Sequence, residues 1–269
     1  MKEDNKKVYL FGAHSCYAAL LSRKRELFEL YVNDEMNETC KKKILDKTVN
    51  EAKRRGVAVN FTSKNHLDDL VHFDRPEDSD IVLKAGVLKC TPLESCGSPK
   101  SGDNIWLALD QIQDPINIGS IIRSCAHFGV CRVVISGECS DQLSAVASYV
   151  SKGTLEGYPC YSVPSIHDFL KNAKLEGWNT IATTGPLKDK YYRDVDDISC
   201  LVLNSPTILV LGSEGSGLSK DVIDVCSHLA SITSLQNKMP PGFDSLNVSA
   251  ATGIMLHVLL NNSKFDWDI

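Results

Sequence analysis

The pattern of apolar and polar positions in the first half of the chain predicts alternating strands and helices. Short apolar runs predict strands, and apolar side chains at helical spacing predict helices between them. Gly56, which follows a strongly charged segment, favours the end of a helix at that point. The predicted elements are strands over 8–11, 28–32 and 57–61 and helices over 14–21 and 38–55.

From Ile105 onward the alternation becomes regular. Ile118, Ile121, Ile122 and Cys125 stand at i, i+3, i+4 and i+7, which is one stripe of a helix. Strands that alternate with helices favour a mostly parallel sheet with helices on its faces. The predicted strands are 106–109, 133–135, 180–184, 207–211 and 229–232, and the predicted helices are 117–128, 143–150, 166–175, 220–227 and 245–260.

Residues 90–104 separate these two halves. The segment is rich in Pro, Gly and Ser, and it carries no helical or strand periodicity. We therefore expect an amino-terminal domain over 1–89, a linker over 90–104 and a larger domain over 105–269.

Composition narrows the class of protein. The 269 residues are 43% hydrophobic and 23% charged, typical of a folded globular protein and not of a disordered chain. The net charge is −5, but the first 100 residues carry 18 basic and 16 acidic side chains against 11 and 18 in the rest. Basic clusters at 23–25, 41–43 and 53–55 are either solvated helix faces or the first contact of a polyanion with the chain.

Ten cysteines are present, but no Cys-x-x-Cys pair occurs among them. Their spacings match no common zinc site, and several stand among apolar residues, so we expect reduced, structural thiols and no metal. The amino terminus carries the acidic residues Glu3 and Asp4, which argue against an intact organelle transit peptide. No apolar run has the length of a membrane-spanning helix.

The loops that follow strands in a parallel α/β sheet are the expected ligand-binding segments. The first unusual loop leads from Asp110 into the predicted helix at Asn117, which is well placed as its N-cap. Gly119, in the first turn, is unfavourable in a helix. Because Gly119 and Arg123 stand at i and i+4, we expect the missing side chain to leave room for a substrate group beside the guanidinium.

The second loop follows the apolar strand 207–211 and has the sequence GSEGSGL. Its glycines allow backbone amides to approach a ligand closely. Leu218 stands where a phosphate-binding P-loop needs lysine, and the glycine spacing differs from the dinucleotide fingerprint. The loop is therefore predicted to hold some other ligand, with Glu214 at its centre.

The third loop passes through a Pro-Pro-Gly turn at 240–242 and delivers Ser245 and Asn247 to a helix start, where they are also able to act as caps. Beyond them, small residues give a helix face without bulk. These residues are Ala250, Ala251 and Gly253.

Taken together and in this order, the three loops resemble the motifs of the SpoU–TrmH family of RNA ribose 2′-O-methyltransferases, in the SPOUT superfamily. The resemblance spans 105–260 and is carried by 117–123, by 212–217 and by the SLNVS sequence at 245–249. The amino-terminal half resembles the family's small RNA-binding domain, of ribosomal-protein L30e type.

The sequence also departs from the family pattern. Ile116 stands where members commonly have a basic residue, and the family's stretch at 149–156 keeps only Ser151, Gly153 and Glu156.

The resemblance implies an α/β fold whose carboxyl-terminal, mostly parallel sheet contains a deep trefoil knot, through which the small residues near 250 are suited to pass. It implies a homodimer that transfers a methyl group from S-adenosyl-L-methionine, leaving S-adenosyl-L-homocysteine, with no metal and no membrane. The implied substrate is a guanosine in large-subunit rRNA, bound through the amino-terminal domain. The implied location is the mitochondrial matrix, with the cytoplasm as the alternative.

The resemblance also assigns site residues. Arg123 is the central one, and we favour a role as an RNA phosphate anchor because arginine is not deprotonated in proteins. The implied catalytic residues are Asn117, Arg123, Glu214, Ser245 and Asn247. The implied cofactor-binding residues are Thr183, Thr184, Gly185, Leu211, Gly212, Gly217, Ile232 and Leu246.

Two other functions stay open at this point. One is methylation of tRNA by an enzyme of the same fold. The other is a non-catalytic RNA-binding protein that assists ribosome assembly, which the altered stretch at 149–155 and the acidic balance favour. The retained motif residues favour an enzyme.

Overall fold

The structure is a computed structural model, and it describes residues 6–35, 42–71, 80–137, 141–185, 194–213, 215–234 and 245–263. The chain divides into two compact units. The first unit consists of Met1–Lys89, Ile118–Arg123 and Ser140–Tyr158, and the second of Cys90–Asn117, Ser124–Cys139 and Pro159–Ile269. The sequence-based domain boundaries at 89 and 104 stay a prediction.

The described residues form strands and helices with the following bounds. The strands are β1 (Lys7–Phe11), β2 (Leu27–Asn33), β3 (Ala58–Thr62), β4 (Ile81–Gly86), β5 (Thr91–Pro92), β6 (Ile105–Leu109), β7 (Arg132–Ser136), β8 (Cys160–Val163), β9 (Asn179–Thr184), β10 (Asp196–Asp197), β11 (Thr207–Leu211) and β12 (His228–Ser231). The helices are α1 (Ala13–Ser22), α2 (Lys42–Arg54), α3 (Lys64–Val71), α4 (Pro115–His127), α5 (Ala145–Val150), α6 (Thr154–Gly157), α7 (Ile166–Leu175), α8 (Lys220–Val225) and α9 (Val248–Asn261), with a short 3-10 helix at Ile198–Cys200.

The first unit is built on a four-stranded sheet in the order β1-β4-β2-β3, in which only β2 and β3 are parallel. Successive side chains of a strand point to opposite faces, and both faces are used. Leu10 and Leu83 join the cluster formed with α1 and α2, whereas their neighbours Phe11 and Val82 join a second cluster with α3. The sheet therefore lies between two apolar layers.

In the basic cluster at 23–25, Arg23 and Lys24 are exposed, whereas Arg25 is buried inside the first unit. The Arg25 guanidinium donates to both carboxylate oxygens of Glu156, at 2.7 and 3.0 Å, and the two side chains are 1% and 0% exposed. Lys24 Nζ donates to the carbonyls of Gly157 and Tyr158, at the end of α6. For Arg25, both sequence-based interpretations, a solvated face and a polyanion contact, are wrong.

The second unit is built on an eight-stranded sheet, and every pairing in it is parallel, which confirms the predicted architecture. The strand order is β10-β12-β9-β11-β6-β7-β8-β5. Its core includes Trp106 and Trp178, whose ring centroids lie 4.7 Å apart. The two residues of β5 come from the predicted linker and pair with Tyr161 and Ser162 at the sheet edge.

Several elements differ from the sequence expectation. Helix α9 begins at Val248, later than predicted, because Asn247 is its N-cap. Helix α2 begins at Lys42, and the predicted start at 38 lies outside the described residues. The sequence analysis missed α3, β4 and β8, which are eight residues long or shorter and therefore show little periodicity.

The thiols are mostly as expected. The free cysteines are Cys16, Cys96, Cys125, Cys131, Cys160, Cys200 and Cys226. Cys90 is disulfide-bonded, so the expectation of a reduced thiol is wrong at that position. Within the described part of the chain, no helix is long and apolar enough to cross a membrane.

Candidate active site

The candidate site lies where adjacent parallel strands of the second unit end. Strand β9 lies between β12 and β11, and β11 also pairs with β6. The register aligns Thr184 with Ser231 and Leu211 with Leu109, so these strands end at one edge. The order of connections reverses between β6 and β11, and ligands bind at such a switch point. The loops beginning at Gly185, Gly212 and Ile232 therefore start side by side.

The loop after β11 folds back on itself. Gly217 N donates to Ser213 O at 2.9 Å, closing a bridge between these residues. A Cβ on Gly212 would lie 2.5 Å from Gly217 C and from Leu218 N, so no side chain fits there. Gly217 has a φ of 68°, in the left-handed region. Both glycines are required by the loop itself. Glu214 lies outside the described residues.

Strand β9 contributes a hydroxyl that is already engaged. Thr183 is 9% exposed, and its Oγ1 donates to Val210 O on β11 at 2.8 Å. This bond joins the two strands just before their ends, so Thr183 supports the edge structurally. Thr184 is partly buried and Gly185 is exposed, and they continue from Thr183 into the loop.

Asn117 and Asn247 are joined directly although they stand 130 positions apart in the sequence. Asn247 Nδ2 donates to Asn117 Oδ1 at 3.0 Å, and Asn117 Nδ2 donates to Asp114 Oδ2 at 3.0 Å. Asn247 Oδ1 in turn accepts from the backbone N of Ser249 and of Ala250, which makes it the N-cap of α9. The first and third sequence motifs therefore meet in one chain of side-chain hydrogen bonds.

The expectation that Asn117 caps α4 is wrong. The helix begins at Pro115, and Asp114 is the N-cap, accepting from Ile116 N at 3.0 Å. Proline suits the first helical position because its fixed φ fits the helix and its missing N–H is not needed there. Asn117 is only 3% exposed, and its amide is freed from capping to bind Asn247.

The role expected for Gly119 is also wrong. A Cβ on Gly119 would lie 2.6 Å from the carbonyl oxygen of Ala147 and 2.9 Å from Val150 Cβ. The missing side chain therefore lets α5 approach α4 and leaves no room for a substrate. Arg123 is exposed on α4 and makes no hydrogen bond or ion pair with any described residue.

The other predicted residues of the second unit differ in exposure. Ser245 is exposed, and Leu246 is 51% exposed, whereas Ile232 is partly buried and Leu211 is 2% exposed. The helix face of Ala250 and Gly253 is open, since a Cβ on Gly253 would meet nothing within 4 Å. The small residues at this face therefore border open space and not a tight passage for the chain.

Sequence reasoning identified the loop after β6 but gave no role to Asp110. Asp110 is 8% exposed, and burial raises its pKa, while a hydrogen bond from Ser136 opposes that shift. The Ser136 hydroxyl also accepts from Gln111 N at 2.9 Å. Gln111 has a φ of 55°, which is uncommon for a residue other than glycine and marks strained backbone at this strand end. The signal available in the sequence was the position of Asp110 directly after a buried strand.

Comparison with known proteins decides the family. The model of the SpoU rRNA methylase family matches residues 104–257, more than half of the chain. This chain belongs to the SpoU rRNA methylase family. A second model, for the RNA 2′-O ribose methyltransferase substrate-binding domain, matches residues 9–78.

The alignments with curated relatives extend over nearly the whole of this SpoU family member. It is 32% identical over 262 residues to "rRNA methyltransferase 1, mitochondrial" of Homo sapiens, covering 95% of this chain and 73% of that protein. The protein of the same name from Schizosaccharomyces pombe is 34% identical, with 97% and 91% covered. The 23S rRNA (guanosine-2′-O-)-methyltransferase RlmB of Pasteurella multocida is 28% identical, with 92% and 95% covered.

Solved structures show that the SpoU family member shares their fold. A crystal structure of an RNA 2′-O ribose methyltransferase superposes with a TM-score of 0.72 at 20% identity, covering 95% of this chain and 88% of that one. The SpoU methyltransferase AviRb from Streptomyces viridochromogenes, solved in complex with AdoMet, gives a TM-score of 0.69 at 20% identity, with 95% and 90% covered. Among the described residues, no cluster of His, Cys, Asp and Glu is placed to hold a metal ion.

Proposed function

We propose that this chain transfers a methyl group from S-adenosyl-L-methionine to the ribose 2′-hydroxyl of a guanosine in large-subunit rRNA. The observation that carries the proposal is the hydrogen bond between Asn117 and Asn247. It joins Asn117 of the first motif to Asn247 of the third motif within the second unit, and the folded-back second motif follows β11, the strand paired with β6. The mitochondrial rRNA methyltransferases and RlmB named above support rRNA as the substrate.

The residues at the strand ends fit the cofactor. A sulfonium nucleoside presents an apolar adenine face, an exocyclic amino group that donates, ring nitrogens that accept and a zwitterionic end. The edge offers the partly exposed apolar side chains of Ile232 and Leu246, and backbone amides in the turns after β9 and β11. We assign cofactor binding to the predicted set, which is Thr183, Thr184, Gly185, Leu211, Gly212, Gly217, Ile232 and Leu246. The bound cofactor supplies an electrophilic methyl group.

The 2′-hydroxyl is a weak acid that loses its proton during attack, so the acceptor must be positioned and the proton removed. Arg123 is exposed and without a partner among the described residues, which supports its role as an anchor for an RNA phosphate. Because arginine stays protonated, the proton passes to a phosphate oxygen or to water. Asn117, Ser245 and Asn247 orient the ribose, and we keep Glu214 in the catalytic set. Most of the acceleration then comes from alignment.

The higher-order features that the family implies are part of this proposal. We assign the trefoil knot to the carboxyl-terminal sheet domain, a fold of L30e type to the amino-terminal domain, and a homodimer to the assembly. Exposed apolar side chains of the second unit support a homodimer interface; they are Ile116, Leu246 and Ile254. The mitochondrial names of two relatives support a matrix location.

Methyl transfer from labelled S-adenosyl-L-methionine tests the proposal. The acceptors are a mitochondrial large-subunit rRNA transcript, its bacterial counterpart and bulk tRNA. We expect transfer to an rRNA by the unaltered chain and none by Arg123→Ala, with Lys174→Ala as a control far from the motifs. Transfer to tRNA alone would contradict the rRNA assignment. Tight cofactor binding without transfer to any RNA would favour the assembly factor.

A further inference from the structure

A cavity of about 210 Å³ lies in the first unit at the amino-terminal end of α1. No sequence motif assigned to the methyl transfer contributes to it. We call it the α1 cavity, and the residues that matter for its chemistry are Gly12, His14, Ser15, Asp80, Tyr149 and Lys152.

The first residues of α1 line this cavity. Gly12 is the N-cap and makes no side-chain cap hydrogen bond, and the backbone bond from Cys16 N to Gly12 O, at 3.0 Å, is that of the first turn. A Cβ on Gly12 would lie 2.8 Å from Tyr149 Cδ2, so a capping side chain is excluded. The first N–H groups of a helix have no intrahelical acceptor and carry partial positive charge, which suits an anion.

Ser15 is a polar residue of the cavity lining. It is 1% exposed and stands in the first turn of α1. A serine hydroxyl both donates and accepts hydrogen bonds, so it is suited to a phosphate oxygen or a ribose hydroxyl.

Lys152 and Tyr149 add a positive charge and an aromatic face. Lys152 has a φ of 54°, which is uncommon for lysine, and its Nζ lies 5.5 Å from the centroid of the Tyr149 ring. The ammonium has no acidic partner among the described residues. The Tyr149 ring packs against Phe11 at a centroid distance of 5.3 Å, which holds it in place beside the cavity.

The Asp80 carboxylate limits what the cavity accepts. It lines the cavity and accepts from Asn33 Nδ2 at 3.0 Å. A second anionic group would be repelled, whereas N–H groups on the edge of a nucleobase are donors that a carboxylate accepts. A ligand that combines one anionic group, one aromatic ring and one set of N–H donors is a single nucleotide.

We propose that the α1 cavity binds one unstacked nucleotide of the RNA substrate, with its phosphate at the amino-terminal end of α1 beside Lys152 and its base against Tyr149. The inference rests on the proposed function, because it takes RNA as the substrate. RNA is commonly recognised through unpaired nucleotides stacked on aromatic side chains.

The test measures binding of a fluorescent rRNA transcript to the full chain by anisotropy over a series of KCl concentrations, with S-adenosyl-L-homocysteine present. Lys152→Asn removes the charge while keeping a residue that tolerates positive φ. We expect about tenfold weaker binding and a log–log salt slope smaller by about one, the signature of a lost phosphate contact. Lys171→Gln, which removes an exposed charge of α7 outside the cavity and outside the basic clusters, is the matched control and retains both values.

The aromatic part is tested separately. Tyr149→Leu is expected to weaken RNA binding about tenfold without changing the salt slope. Tyr149→Phe keeps an aromatic ring and is expected to bind RNA as tightly as the unaltered chain. Ser15→Ala is expected to weaken binding a few-fold. Cofactor binding and melting temperature are measured for each variant, and if Tyr149→Leu fails to fold, the comparison of Lys152→Asn with Lys171→Gln decides.

Two outcomes overturn the inference and are distinguishable. If the unaltered chain binds and methylates RNA but Lys152→Asn behaves like Lys171→Gln, the α1 cavity is not an RNA site and the proposed function stands. If the unaltered chain binds cofactor but neither binds nor methylates RNA, the proposed function fails and this inference fails with it.

Discussion

The buried ion pair of Arg25 and Glu156 gives the sharpest prediction about stability. Arg25 donates to both Glu156 oxygens and also to the carbonyls of Gly86 and Leu143, and both side chains of the pair are almost fully buried. Glu156→Leu leaves the guanidinium buried without its carboxylate partner. Arg25→Met leaves the carboxylate with no partner at all.

The expected magnitude follows from the burial. Breaking a buried pair by removing one partner costs about 3–5 kcal/mol, because an uncompensated charge remains inside. The double variant Arg25→Met with Glu156→Leu leaves no charge, only two carbonyls without a donor, at about 1–2 kcal/mol each. The double variant is therefore expected to lose less stability than the sum of the losses in the two single variants. The difference, which is the interaction free energy, is expected to be at least about 2 kcal/mol.

The measurement is urea unfolding of the four members of this double-mutant cycle, followed by circular dichroism. Arg54→Met is the control, because Arg54 pairs with Glu51 at the surface and its loss is expected to stay within the error of the measurement. A loss below about 1 kcal/mol for Arg25→Met, or strictly additive effects in the cycle, would refute the reasoning.

Three further predictions concern single positions. Gly119→Ala is expected to lower the melting temperature, because its Cβ would lie 2.6 Å from a carbonyl oxygen, whereas Gly253→Ala, with open space around it, is expected to leave it unchanged or raise it; equal shifts would contradict this. Asn247→Asp keeps the acceptor that caps α9 but removes the donor to Asn117, so kcat is expected to fall at least about tenfold while the melting temperature holds; a fall in melting temperature with kcat unchanged would show a purely structural bond. Asp110→Asn is expected to raise the free energy of unfolding at neutral pH, because burial raises the pKa of Asp110 and disfavours its charged form; the gain disappears as the pH falls below the unfolded pKa, near 4, and a gain that persists there would argue against desolvation.

The parallel sheet was predictable because its strands are short, apolar and separated by amphipathic helices. Leu107 and Leu209, for example, stand in runs that no helix period explains, and both are fully buried in neighbouring strands. The short strand β8 was not predictable, because four residues carry too little pattern. The assignment of Ser140–Tyr158 to the first unit was equally hidden, since it brings Glu156 to Arg25, 131 positions away.

The candidate site was predictable in its residues but not in their roles. The loop sequences identified Asn117, Gly212 and Asn247, because glycine and amide side chains at strand ends are informative. Helix α4 begins about one turn earlier than the sequence predicts, so the residue that reaches its first amides is Asp114 and not Asn117. Gly119 illustrates the same limit, because the reason for a glycine lies in a neighbour that is distant in sequence.

The central claim is that the chain methylates a ribose 2′-hydroxyl of rRNA. The most direct test is to incubate the unaltered chain with S-adenosyl-L-methionine and a mitochondrial large-subunit rRNA transcript, digest the product completely to nucleosides and identify the methylated species by mass spectrometry. The account predicts 2′-O-methylguanosine at a single site, absent with Arg123→Ala. A base-methylated nucleoside, or no methylated nucleoside despite measured cofactor and RNA binding, would contradict it.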